Sequence, residues 1–475
     1  MFGKRHTFYI ARRSRLGAHR GSRGRENGID EIDFTWGLRY FPACFSPERS
    51  GVSHTLTQVI PSSRETVVMV TSSYPRFPGD AIGTFMEPIA QGVAARGYAV
   101  HMVAPWHALW NRPVQEAGVR FHLFRYAPVR HLNVFGYAAA LRADVGLRLS
   151  AIAVAPLAVA AGTLRVRHVA RATRASIVHA HWVIPGGVMG AAAAGRRPLV
   201  ISLHGSDVFV AERHRLARLA AGAAFQRAAW VTACSEDLRS RAIALGAAPD
   251  RTTVVPYGVD AARFEPDPAG RARGRATLGV GDATPVVVAI GRLAKKKGFE
   301  YLIDAAAQLR PQYPTLRVVI AGAGDLDESL RTRARERGVA DCVQFLGVVS
   351  HDLVPTLLAA ADVAVVPSVR DDAGNVDGLP NTVLEIMASG TALVATPVGG
   401  IAAVATDRET ARLVPEQDAA ALATAIAELL AQPSLRTALG QRARATALTE
   451  YSWGRVAERF DEIYDRVLHR PRAGT

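Results

Sequence analysis

Residues 362–396 read DVAVVPSVRDDAGNVDGLPNTVLEIMASGTALVAT. The opening DVAVVPS is a β-branched apolar run, the texture of a strand buried on both faces. The loop VRDDAGNVDGLP follows, then the helical pattern NTVLEIMASG, then a second strand, ALVAT. Strand, loop, helix and strand in that order form the unit of a parallel sheet, because parallel neighbours need a crossover.

The alternation extends upstream. PVVVAIGRL, LRVVIAG and VQFLGVV read as strands, and GFEYLIDAAAQLR, DESLRTRARERG and LVPTLLAAA as helices between them. An earlier series begins at residue 66 with the strand TVVMVTSSYP, the helix GTFMEPIAQGVAARG and the strand AVHMVAP. ASIVHAHW and PLVISLHG are strands around the short helix GGVMGAAAAG, and AAWVTACSE and TTVVPYG continue the pattern. The expected fold class is α/β, with two doubly wound, Rossmann-like domains facing across a cleft. A basic leader occupies 1–65 and the first domain 66–260. A linker or surface arm at 261–283, rich in Pro, Gly and Arg, precedes the second domain at 284–450. A last helix within 451–475 is placed to cross back to the first domain. The competing arrangement is one large sheet. Ligands of such sheets lie outside the carboxyl ends of the strands, here in the cleft.

Composition narrows the class. The 475 residues are 49 % hydrophobic and 21 % charged, as in a soluble globular protein. Cys44, Cys234 and Cys342 are far apart and have no metal-ligand spacing, which fits a reducing cytoplasm. The net charge is +15. Residues 1–65 hold eleven Lys or Arg against six Asp or Glu and lack a signal-peptide apolar core. They read as a disordered or mis-started leader, or as a tether to an anionic surface. The remaining charge suits phosphate-bearing ligands or anionic membrane. A single-strand nucleic-acid binder would interleave exposed aromatics with its cations, but only 7 % of residues are aromatic and most lie in apolar runs, so no specific nucleic acid is expected. SAIAVAPLAVAAG, residues 150–162, is too short to span a bilayer and contains Pro156. It reads as a core helix or, flanked by arginines 142, 148, 165, 167, 171 and 174, as a peripheral contact with the inner membrane face.

Asp377 and Glu385 bracket the start of the helix after DVAVVPS, with seven residues between them. Pro380 suits a first helical turn. The amides of Gly378, Leu379, Pro380's neighbours Asn381 and Thr382, and the helix dipole would attract a diphosphate, though acids at a helix mouth also serve as plain dipole partners. Arg292 and Lys297 lie in a glycine-punctuated loop after another strand. There two cations would stabilise charge growing on a departing phosphate, or simply decorate a solvated turn.

GRLAKKKGFEYLI and DGLPNTVLEIMASGTALVAT together resemble the donor half of glycosyltransferase family 4, retaining enzymes of GT-B fold. TSSYPRFPGDAIGTFMEPIAQG, VHAHWVIPGG, ISLHGSDV and VVPYGVDAARF follow in that family's order, so the resemblance spans about residues 66–465. It implies a hexose moved from a nucleotide-diphosphate sugar to a sugar or lipid-linked hydroxyl, as in polysaccharide or glycolipid synthesis. Glu385 would hold the donor ribose, and Asp377 would stand near the sugar hydroxyls, where the family has the longer Glu. Arg292 and Lys297 would grip the diphosphate, Gly83 would let backbone approach it, and His204 would sit beside the reacting sugar. Gly347 and Val348 would carry the nucleobase. The leaving phosphate oxygen would itself take the acceptor proton, and no metal or other cofactor is expected. Replacing Lys297 or Glu385 by Ala is expected to nearly abolish transfer and spare the fold. A nucleotide-sugar epimerase of the same architecture is the alternative, and a basic nucleic-acid-binding protein a more distant one.

Overall fold

The computed structural model describes residues 64–469 except 81, 128–132, 134–135, 138–140, 143–145, 148 and 373, with backbone alone at 141–142, 146–147, 149–150 and 152. The leader (save its last two residues), Cys44, Arg148 and the Arg142 side chain therefore lie outside the described residues.

The first half opens with β1 (Thr66–Val70), α1 (Met86–Ala95), β2 (Ala99–Pro105), β3 (Gln115–Glu116) and β4 (Val119–Phe124). The small pair β5 (Leu141–Arg142) and β6 (Gly146–Leu147) leads to α2 (Leu149–Ala172), β7 (Ile177–His181), α3 (Val188–Ala193) and β8 (Leu199–Leu203). Then come α4 (Ser206–Arg213), α5 (Arg215–Arg227), β9 (Trp230–Ala233), α6 (Glu236–Ala244) and β10 (Thr252–Val254). Eight strands form one sheet in the order β10-β9-β8-β7-β1-β2-β4-β3, parallel except for the terminal β3–β4 pair. Helices α2, α3 and α5 cover one face through Val169, Met189 and Phe225, against Val68, Val70 and Ile201 of the strands. The other face carries α1 and the last helix of the chain.

The second half contains α7 (Pro268–Leu278), β11 (Val286–Ile290), α8 (Phe299–Leu309), β12 (Arg317–Ala321), α9 (Asp327–Glu336), β13 (Val343–Gly347) and α10 (Val354–Ala360). It continues with β14 (Val363–Val366), α11 (Asn381–Ser389), β15 (Ala392–Ala395), α12 (Ile401–Val404), β16 (Arg412–Leu413), α13 (Ala419–Ala431), α14 (Pro433–Glu450) and α15 (Trp453–His469). Its six strands are all parallel, in the order β13-β12-β11-β14-β15-β16. The sheets are separate, so the single-sheet arrangement is not the one adopted.

The stretch expected to be a linker is a helix. Pro268 occupies the first turn of α7, and Gly279 ends it with φ 68°. Arg275 of α7 is 1 % exposed, donates to the carbonyls of Gly281 and Ala360, and sits 3.5 Å from Asp362. A helix anchored by a buried arginine looks hydrophilic in sequence, which explains the discrepancy. α2 is neither core nor free surface. Val154, Ala158, Val166 and Val169 are buried, while Leu157 and Leu164 face outward, 58 % and 65 % exposed.

α15 packs on the first half. Tyr464 Oη lies 2.6 Å from His179 Nδ1, and Asp461 accepts from Tyr98 Oη at 2.6 Å and Arg96 Nη2 at 2.9 Å. The chain passes between the halves twice, and the passages touch: Val259 N donates to the Tyr451 carbonyl at 2.7 Å and Val259 bridges Ser452 in parallel.

Candidate active site

At β11 and β14 the strand order reverses, so the loops leaving their carboxyl ends diverge and open a crevice. The loop after β11 carries Arg292 and the single 3-10 turn Lys295–Lys297, and the loop after β14 carries Asp377. Gly298 locks them together. Its φ is 63°, and a Cβ there would lie 2.0 Å from the Pro367 carbonyl oxygen, so only glycine fits. Val369 N also donates to the Lys296 carbonyl at 2.9 Å.

Asp377 is 8 % exposed and faces cations. Lys297 Nζ lies 2.6 Å from Oδ2, and Lys296 Nζ 3.0 Å from Oδ1. Burial by itself would raise its carboxyl, but the charges of Lys297 and then Lys296 prevail and hold it at about 2. The sequence reading set Asp377 beside the sugar and Lys297 on the phosphates; here they meet each other, and Lys296 joins them. The signal for Lys296 was present in the run KKK, where residue type alone does not say which lysines turn inward.

The helix mouth is walled on both sides. A Cβ on Gly378 would stand 2.9 Å from Cys234 Sγ and 3.0 Å from Leu238 Cδ1 of the first half, and one on Gly400 would meet the Gly378 carbonyl oxygen at 2.2 Å. Leu379 is buried. Pro380 precedes α11 instead of sitting in its first turn: its ψ of 122° is extended, and helical geometry begins at Asn381. Thr382 follows in the first turn. Asn381 Oδ1 is buried without a hydrogen-bond partner.

Glu385 lies four residues beyond Asn381, about 6 Å along the helix axis. Its Oε1 meets His351 Nε2 at 3.0 Å. Glu385, Asn381 and His351 line a cavity of about 630 Å³, whose opposite wall includes Asp80, Thr84 and Phe85. Gly347 ends β13 with φ 69°, and Val348 beyond it is 79 % exposed. Arg292 is exposed.

In the first half, Gly83 (φ 67°) folds its loop onto Ser73, whose Oγ would be 3.1 Å from an added Cβ. His204 has both ring nitrogens engaged: Nδ1 with Tyr257 Oη at 2.9 Å, and Nε2 with His181 Nδ1 at 3.1 Å. Burial, then the neighbouring His181, hold its pKa well below the ordinary histidine value, so it is neutral. Phe85 and Trp182 stand against its ring, each 4.6 Å between centroids. This arrangement suits a fixed wall better than a proton carrier. Asp207, three residues on, was missed; it accepts from Gly205 N at 3.0 Å and Val183 N at 2.7 Å and so ties two loops of the cleft. Among the described residues no group of three His, Cys, Asp or Glu is placed to hold a metal ion.

Two Rossmann-like halves, each offering its strand ends and glycine loops to a shared cleft, define a GT-B enzyme. The family follows from comparison. Residues 80–258 match the glycosyl transferase 4-like domain, and 271–446 match glycosyl transferases group 1. The chain is 36 % identical over 271 residues to the GDP-mannose-dependent alpha-(1-6)-phosphatidylinositol monomannoside mannosyltransferase of Mycolicibacterium smegmatis, covering 57 % of this chain and 70 % of that one. It is 32 % identical over 427 residues to the D-inositol 3-phosphate glycosyltransferase of Kineococcus radiotolerans, covering 82 % and 92 %. Its fold is shared by Anabaena HepE in complex with UDP (TM-score 0.67, 21 % identity, 84 % and 99 % covered). It is shared too by sucrose-phosphate synthase of Thermosynechococcus elongatus (TM-score 0.68, 21 % identity, 85 % and 99 % covered). The chain belongs to the group 1 glycosyl transferases and is a glycosyltransferase that moves a hexose from a nucleotide sugar. The comparisons do not favour an epimerase.

Proposed function

We propose that this enzyme transfers mannose or a related hexose, with retention of configuration, to an inositol-bearing or other lipid-linked hydroxyl. One observation carries the reading: two lysines converge on one buried carboxylate, four residues before the start of α11, at the strand-order reversal of the second sheet. The nucleobase rests on Gly347 and Val348, and the ribose hydroxyls donate to Glu385. The diphosphate lies between Arg292, Lys297 and the mouth from Gly378 to Thr382, with the Gly83 loop closing from the other side. Charge develops on the leaving phosphate as the sugar bond breaks, and Arg292 and Lys297 stabilise it without a metal. Asp377 keeps the lysines in place and meets the hexose when they turn to phosphate. The leaving oxygen takes the acceptor proton, which fits a His204 with no uncommitted ring nitrogen. The activities of the two relatives, both acting on inositol compounds, support the acceptor class.

A lipid-linked acceptor needs a surface that meets the membrane. No described helix is long and apolar enough to cross one. α2 and α5 flank α3 on one face of the first sheet and turn Leu157, Leu164, Leu216 and Leu219 outward, the last two 83 % and 71 % exposed. Exposed Arg167, Arg171, Arg215 and Arg218 accompany them. The pairing suits the cytoplasmic face of an anionic bilayer.

The test is nucleotide release from GDP-mannose, UDP-glucose and UDP-N-acetylglucosamine, with and without inositol phosphate or phosphatidylinositol, and NMR of the product anomer. Acceptor-dependent release with the donor's anomeric configuration kept is expected. No release with any donor, or an inverted product, overturns the reading. Sedimentation with phosphatidylglycerol vesicles should fall when the four leucines become serine; unchanged sedimentation removes the membrane part.

A further inference from the structure

Glu385 does not stand alone in its cavity, and the residue holding it belongs to no motif of the family resemblance. His351 begins the one-turn 3-10 helix His351–Leu353, four residues past Gly347. Its Nε2 meets Glu385 Oε1 at 3.0 Å. Both side chains are withdrawn from solvent, 32 % exposed for His351 and 13 % for Glu385, and both line the same cavity. The turn that carries the histidine is itself held. Ser350 Oγ accepts from Asp352 N at 3.3 Å to cap the turn, and Asp352 is bound to Arg263 Nη2 at 2.6 Å. The Phe264 ring lies against it, 5.9 Å between centroids.

We infer that His351 is a positioning residue for the nucleoside half of the donor site, acting through Glu385; this rests on the reading of Glu385 as the ribose acceptor. A carboxylate at the end of two methylenes can rotate, and ribose hydroxyls bind it well only in one orientation. His351 donates to one oxygen and leaves the other to receive the ribose, as outer partners orient the ligating groups of metal sites. Val348 lies three residues before this turn, so one short segment sets both the base platform and the ribose acceptor. Donor affinity and the choice among nucleotides then depend on this turn, while the reacting carbon, held at the Asp377 end of the helix, does not.

The experiment measures Kd for UDP and GDP by calorimetry, and donor KM and kcat, in the full chain and in His351→Ala, His351→Gln, Glu385→Ala and the double alanine variant. His351→Ala should raise the nucleotide Kd and donor KM about 5- to 10-fold, the worth of one ordinary hydrogen bond, because only the orientation of Glu385 is lost, with kcat within about 2-fold. His351→Gln, which retains a donor N–H, should restore most of the affinity. Adding His351→Ala to Glu385→Ala should change nothing further. If Glu385→Ala binds nucleotide as the parent does, the ribose assignment falls, and this inference with it. If Glu385→Ala weakens binding but His351→Ala does not, or if the two losses add, only the role of His351 is overturned. A His351→Ala variant that loses kcat and thermal stability while donor KM stays constant overturns it as well.

Discussion

Asp377→Asn keeps the shape of the side chain and removes its charge. The fall of this carboxyl from an ordinary 3.8 to about 2 amounts to about 2–3 kcal/mol of native-state stability at neutral pH. Because the folded value lies below the unfolded one, the contribution is complete well above pH 4 and is lost as pH drops through about 2. About half should remain at pH 3. Asparagine also removes the carboxylate charge that Lys297 and Lys296 both contact. Urea unfolding at pH 7 should therefore show the variant less stable by about 2–3 kcal/mol, or about 5–10 °C in Tm for a domain of this size. The same comparison at pH 3 should show the deficit reduced to about half. Equal stability at pH 7, or a deficit that persists unchanged in acid, would refute the ion-pair account.

Lys297→Ala should cut kcat by at least about 100-fold through lost stabilisation of the leaving phosphate. Against the expectation of an intact fold, it should also lower Tm, because Lys296 alone then neutralises a buried carboxylate; steady-state kinetics and calorimetry read both effects. Gly298→Ala should destabilise by about 2–4 kcal/mol and weaken nucleotide binding, since a left-handed residue would press its Cβ on the Pro367 carbonyl; chemical denaturation with a UDP titration checks this. Tyr464→Phe removes the partner of His179 Nδ1 in the interior and should cost about 1–3 kcal/mol, seen as a lower urea midpoint with donor KM unchanged.

Much of this architecture can be read from runs such as VVMV, VVVAI and VAVV, because a strand buried on both faces must be apolar throughout, and short length with β-branched side chains separates it from a buried helix. α7 escaped because its burial depends on Arg275 finding carbonyls some 85 residues away in sequence, at Ala360, which no local pattern announces. The face of α2 was ambiguous for a related reason: alanine suits core and surface alike, and only the positions of Val166 and Leu164 separate them. At the site, residue types were legible and pairings were not. Lys297 and Asp377 are 80 residues apart, and their ion pair exists because Gly298 brings two loops together. His204 was visible as a histidine at a strand end, but its engagement by Tyr257 and His181 is a property of the fold. His351 carried no signal beyond its closeness to Gly347.

The two passages between the halves, meeting at Val259 and Ser452, constrain how the enzyme breathes. A lone connecting thread would permit twisting in every direction, whereas two pinned side by side behave like the knuckles of a door and leave one easy swing. Trp453 fills the space next to Gly258, where an added Cβ would be 2.8 Å from its indole, so the knuckle is packed tight. The tail helix is bolted to the far panel through Tyr464 and Asp461, and so belongs to that side of the hinge although it follows the second crossing in the chain.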